Sequence, residues 1–111
     1  MADKQIIASL TTAQTTTNAY VSALKFERPP DVKKILIQLI ETGANDVLYQ
    51  VLASNVDTAA YYITLVTDAV LDTSTEEFET SCDAWMFYDV QIKAAVAATH
   101  GTVVIYASGE Q

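Results

Sequence analysis

The sequence predicts an all-β protein: a single-domain antiparallel β-sandwich, jelly-roll-like, of about seven to eight strands. Three observations carry that prediction. Short apolar or alternating runs recur along the chain, separated by Pro, Gly, Asn and Asp clusters that favour turns. No stretch shows a sustained amphipathic helical period. Half of the 111 residues are hydrophobic and 18% are charged, a balance that suits a packed core and not a disordered chain.

A chain of this length buries roughly two-thirds of its unfolded surface around one core. The expected division is residues 1–18 as an N-terminal strand or extended arm and 19–111 as the sandwich. The opening segment carries the apolar run Ile6 to Leu10 and then TTAQTTT, whose β-branched threonines favour extended backbone. It reads as a first strand plus a loop, or as an arm ordered by a neighbour. From Ala19 to Phe26 the residues alternate, with Tyr20, Ser22, Leu24 and Phe26 on one side and Val21, Ala23 and Lys25 on the other. Arg28-Pro29-Pro30-Asp31 ends that strand, because proline cannot donate to a ladder.

Ile35 to Asn55, ILIQLIETGANDVLYQVLASN, is the centre of the pattern. Lys34 to Glu41 is apolar on both sides, as a strand covered on both faces would be. Thr42 to Asp46 supplies turn-forming residues, and Val47 to Ser54 alternates again. The segment reads as a central β-hairpin. After a loop at Asn55 to Thr58, Tyr61 to Val70 reads as a strand with Tyr61, Ile63, Leu65, Thr67 and Ala69 on one face. Asp72 to Asp83 collects acidic residues and reads as a long surface loop, with a capping-box spacing from Ser74 to Glu77 that would suit a short helical turn. Trp85 to Ala95 has the cleanest alternation, Tyr88, Val90, Ile92 and Ala94 against Asp89, Gln91 and Lys93. Ala94 to Thr99 continues that strand or turns, Thr102 to Ala107 forms the last strand, and Ser108 to Gln111 reads as a polar tail.

Charge narrows the function classes. Fourteen acidic and six basic residues give a net charge of −8, which repels a phosphate backbone and an anionic membrane surface alike. Neither nucleic acid nor membrane is expected as a partner. No run approaches the roughly 18 to 20 apolar residues of a spanning helix, and no signal peptide is read. The lone Cys82 has no intramolecular disulfide partner, so synthesis in a cytoplasm is expected.

Candidate chemistry is sparse. The only histidine, His100, stands beside a glycine at a turn, and nothing local pairs it with Cys82; a turn histidine and a structural thiol account for both. Asp68, Asp72, Glu76, Glu77, Glu79 and Asp83 offer oxygen ligands for calcium but lack the spacing of an EF-hand loop, and a solvated acidic loop explains them. Phosphate-cradling glycine loops are missing. No catalytic residue, cofactor or metal site is therefore assigned, and the protein is not expected to be an enzyme. Tyr61, Tyr62, Trp85 and Phe87, with Tyr49 and Tyr88 nearby in the pattern, form the one candidate interface or ligand patch: aromatic rings suit core packing, a protein contact or a stacked sugar.

Three runs, ETGANDVLYQVLASN, DAWMFYDVQIKAAV and GTVVIYASG, resemble small β-sandwich virion proteins of tailed phages and related viruses. There a TGAN…Y.V.AS hairpin, a Y.DVQIK strand preceded by aromatics and a closing G.V.V strand recur. The resemblance spans Lys34 to Gly109. It implies a structural subunit, a capsid decoration or cement protein or another head or tail accessory, acting as a homo-oligomer on capsid or other virion proteins and located in the virion. Similar hairpins occur in discoidin-type carbohydrate-recognising sandwiches, where the strand leads into an Asn-Asp-Gly loop. Here Asn55-Val56-Asp57 lacks that glycine, so a glycan-binding module is the alternative, with no ligand residue carried over.

Overall fold

The computed structural model describes residues 4–43, 45–71, 75–79 and 85–110, with the side chains of residues 4 and 75–79 outside that description. Eight strands run β1 (Lys4–Thr15), β2 (Val21–Glu27), β3 (Lys34–Glu41), β4 (Val47–Ser54), β5 (Ile63–Leu71), β6 (Thr75–Glu79), β7 (Phe87–Ala94) and β8 (Thr102–Glu110). They form two four-stranded antiparallel sheets, ordered β1-β8-β3-β6 and β2-β7-β4-β5. Successive strands alternate between the two sheets except at β4 and β5, which is the double Greek-key path of a jelly roll. The fold class is the one predicted.

The central hairpin is not. Both of its arms form with nearly the predicted bounds, yet β3 pairs with β8 and β6 while β4 pairs with β7 and β5. The segment after Glu41 is a corner that carries the chain from one sheet to the other. Each arm finds partners far along the chain because its apolar side must face the opposite sheet. Ile35, Ile37 and Leu39 from β3 and Val47, Tyr49, Val51 and Ala53 from β4 all enter one core. Leu36, Gln38 and Ile40 on the other side of β3 are only half-buried, so the strand is covered on one face and partly on the other.

β7 matches its predicted alternation. Tyr88, Val90, Ile92 and Ala94 are buried and Phe87, Asp89, Gln91 and Lys93 lie half-buried outside. β8 contributes Val103, Ile105 and Ala107 to the core and continues to Glu110, so the expected polar tail is strand, paired with Lys4 of β1 and Lys34 of β3. β1 is a strand along β8 with irregularities after Ile6 and after Leu10.

Two strands depart from simple alternation. In β2 a bulge between Ser22 and Leu24 opposes Val21, Leu24 and Phe26 to the buried residues of β7 and leaves Ser22 and Lys25 outside. In β5 two irregularities opposite Tyr49 to Leu52, with Asp68 at φ 48°, bring Val66 and Leu65 onto the core beside Ala69 and leave Thr67 exposed. Tyr61 belongs to a 3-10 turn, Ala59–Tyr61, ahead of β5. Thr75–Glu79, predicted as loop or helical turn, is a strand because β3 supplies a backbone edge for it. Ala94 is the end of β7; Val96 to Thr99 makes a turn with Ala98 at φ 64°, its amide held by Asn18 Oδ1 at 2.9 Å.

Candidate functional site: an apolar end of the sandwich

Three connections meet at the end of the sandwich where β2 stops and β7 starts. Pro29 and Pro30 deny the chain ladder donors after β2, and Arg28 fastens the turn that results. Its main-chain amide donates to the Met86 carbonyl at 2.7 Å, its Nε to the Trp85 carbonyl at 3.1 Å and its Nη1 to the Val32 carbonyl at 2.5 Å. Trp85 in turn donates its amide to the Tyr88 hydroxyl at 3.1 Å, and the buried Tyr88 ring stacks on Phe26 at 5.3 Å.

The β4–β5 connection is folded by local bonds. Ser54 Oγ accepts the Val56 amide at 3.0 Å, the Val56 carbonyl accepts Thr58 N at 2.8 Å, and Tyr61 N reaches the Thr58 carbonyl at 2.9 Å. Asn55 Oδ1 accepts the Met86 amide at 3.3 Å and ties this connection to the start of β7. Asp57 accepts the Tyr62 hydroxyl at 2.9 Å and pairs with Lys25 of β2 at 2.8 Å, while the Lys25 ammonium stands 5.1 Å from the Tyr62 ring centroid. The hydrogen bond from Lys25, then that from Tyr62, holds the Asp57 carboxyl below its ordinary range. The bond to Asp57 raises Lys25 in return, and burial followed by the same carboxylate raises Tyr62. Lys25 and Asp57 are solvated, so their pairing sets the position of the loop more than its stability.

The result is a group of exposed apolar side chains at this end, uncovered by any of the described residues. Val56, Tyr61, Ile63 and Met86 are 53%, 66%, 46% and 42% exposed. Four of the seven strongly exposed large hydrophobic residues described thus share one end of the molecule. Single exposed apolar residues are ordinary; a group on adjoining loops marks a contact surface.

Of the four aromatic residues predicted as a patch, Tyr61 is the exposed one. Tyr62 is engaged with Asp57 and Lys25, Trp85 packs against the core, and Phe87 is half-buried opposite Ser54 and Glu27. They share an end of one sheet but do not make an open aromatic platform. Val56, Ile63 and Met86 were not singled out from the sequence. Each is an isolated apolar residue near a turn, and only the meeting of connections 30 residues apart groups them, as the Met86–Asn55 bond shows with its separation of 31.

Sheet β2-β7-β4-β5 carries a polar ladder on its outer face. Ser22 Oγ donates to Asp89 Oδ1 at 2.5 Å, Gln91 Nε2 to Asp89 Oδ2 at 2.8 Å and Gln50 Nε2 to Gln91 Oε1 at 2.5 Å. Past its far end, Tyr20 donates to Asp68 at 2.6 Å with Lys93 4.7 Å from its ring. His100 is exposed, with Nδ1 3.5 Å from Thr16 Oγ1; Cys82 lies outside the described residues, as do Asp72 and Asp83 of the acidic segment. No three His, Cys, Asp or Glu side chains gather into a metal-binding group among the described residues.

No family model matches the chain, and no curated protein matches it. Among solved structures it is similar to a crystal structure of PirA, with 16% identity and a TM-score of 0.59 over 89% of this chain and 92% of that one. It is also similar to a protein of the Bacillus endospore appendages, a novel family of disulfide-linked pili, with 18% identity and a TM-score of 0.42 over 98% and 86% of the two chains. The first likeness is one of fold: a small β-rich domain. The second, weaker one adds nothing to it.

Proposed function

We propose that the protein is a non-enzymatic structural subunit that assembles by protein–protein contact, as a homo-oligomer and on the capsid or another component of a virion. The observation that carries the reading is the exposed group Val56, Tyr61 and Met86, on connections held in place by Arg28, Asn55 and Asp57, with Ile63 at the start of β5 beside them. Connections whose backbone is already held by hydrogen bonds lose little further backbone entropy when a partner covers them, so association keeps more of the burial free energy. Many equivalent contacts on a repeated lattice then add by multivalency. The jelly roll is also used by capsid and lectin domains, which is an analogy of fold and supports the reading only as such. The acidic surface elsewhere would keep such a subunit soluble.

The experiment is native mass by light scattering, together with co-sedimentation on purified particles of the source virus. The subunit is expected to be oligomeric or particle-bound, and Tyr61→Asp combined with Met86→Asp should weaken that association at least tenfold while leaving the fold intact. A chain that stays monomeric at high concentration and binds no particle component sinks the proposal. The polar ladder of Asp89, Gln91 and Gln50 favours a second reading, a carbohydrate-binding module, because planar polar side chains fixed by one another suit vicinal hydroxyl groups. Saturable glycan binding lost on Gln91→Ala, with no protein association, would select it.

A further inference from the structure

The β3–β4 corner encloses a carboxylate that the fold does not satisfy. Glu41 closes β3 and is 6% exposed. Its Oε1 accepts the Gly43 amide at 2.8 Å, whereas Oε2 is shut off from solvent with no hydrogen-bond partner among the described residues. Two glycines make the room. A Cβ on Gly43 would stand 2.9 Å from Glu41 Oε1, and one on Gly101 would stand 3.1 Å from the same atom and 2.7 Å from the Asn45 main-chain oxygen. Oxygen atoms stand near this carboxylate, the Asn45 carbonyl and the Thr102 hydroxyl, the latter 3.2 Å from the vacant Cβ position of Gly43 and 2.7 Å from the Thr42 hydroxyl, together with the Thr102 amide and a Val47 methyl group. Asn45 and Asp46 also line a surface cavity of about 270 Å³ with Ala95, Val96 and Thr99.

We propose that this corner binds a hard divalent cation of the calcium type, with Glu41 Oε2 as the buried charged ligand, the Asn45 carbonyl and adjoining hydroxyls as neutral ligands, and Asp46 adding charge from the cavity side. A carboxylate oxygen removed from water and offered no donor is unfavourable as it stands. A trapped water would need several polar partners, and oxygen acceptors grouped with a carboxylate are the donor set that calcium takes. The net charge of −8 enriches cations around the molecule. With few carboxylates at hand, the affinity belongs near that of extracellular calcium modules, about 10⁻⁴ to 10⁻³ M. The ion would brace the corner against the start of β8. The proposal stands whether or not the assembly reading does.

Thermal unfolding of the full chain in CaCl₂ and in EDTA tests the proposal, with a calcium titration by calorimetry for affinity. At about 5 mM calcium the unfolding midpoint should rise by roughly 5 °C. Glu41→Gln keeps the shape of the side chain and should lose that rise. Asp46→Asn, at an exposed position, should weaken calcium binding several-fold. Equal midpoints in calcium and EDTA overturn the site, and so does a full calcium shift retained by Glu41→Gln, since the ion would then lie elsewhere. Should Glu41→Gln fail to fold, an unchanged calcium affinity in Asp46→Asn overturns it.

Discussion

Tyr20 shows what a single side chain contributes in this fold. Standing just ahead of β2, it gives its phenolic proton to Asp68 of β5 at 2.6 Å. Burial first, and then that hydrogen bond, push its pKa well above the ordinary tyrosine range. A group whose folded pKa is raised contributes stability below its unfolded pKa, about 10 for tyrosine, and loses it as pH climbs through the folded value. The unfolding midpoint should therefore fall above about pH 10, and Tyr20→Phe should flatten that alkaline limb while lowering the neutral-pH midpoint slightly. Tyr62 and Lys25, both raised as well, account for the slope that remains. Parallel limbs in the two proteins would mean that the bond to Asp68 is not formed in solution. Nothing in the sequence announces this pair, which is 48 positions apart. Ring chemistry alone groups Tyr61 with Trp85, yet Tyr61 is exposed whereas Trp85 packs against the core.

Among the elements, strand identity was legible and strand partnership was not. Alternation located β7 and both arms of the β3–β4 segment, because period two is a local property of side chains facing one core. The choice between a hairpin and a corner depends on which sheet each arm joins, and residues as distant as Val104 and Asp89 decide that by pairing with Ile40 and Leu52. In β5 the bulges reverse the phase of the pattern, so a strict period-two reading groups Thr67 with Leu65 and Ala69 and leaves Val66 on the other face. β6 escaped notice because TEEFE has little to bury and is held by its backbone at a sheet edge. The burial of β7 can be measured by denaturant unfolding. Ile92→Ala should cost about 2 to 5 kcal/mol, and Val70→Ala, on the exposed side of β5, less than about 0.5 kcal/mol. Equal costs would mean that β7 turns its other side to the core.

Taken whole, the molecule is held by pairings between strands remote in sequence. Of the six strand pairs only β4 with β5 joins neighbours along the chain. Each of the others must close a long loop before its contacts form, a cost that slows folding. Refolding by stopped flow should occupy milliseconds to seconds, in the range of non-local β domains, and microsecond refolding would show that local structure dominates the barrier. The outermost of those pairings has a practical consequence. Lys4 and Glu110 are register partners, and the Lys33 amide bonds to the Glu110 carbonyl beside the turn that Arg28 fastens to Trp85 and Met86. Cargo fused to either end of the sandwich therefore emerges beside the loops that bear Tyr61 and Met86, where it would shield that surface; a display or labelling site that leaves it open belongs at the opposite pole, on the turn around Ala98.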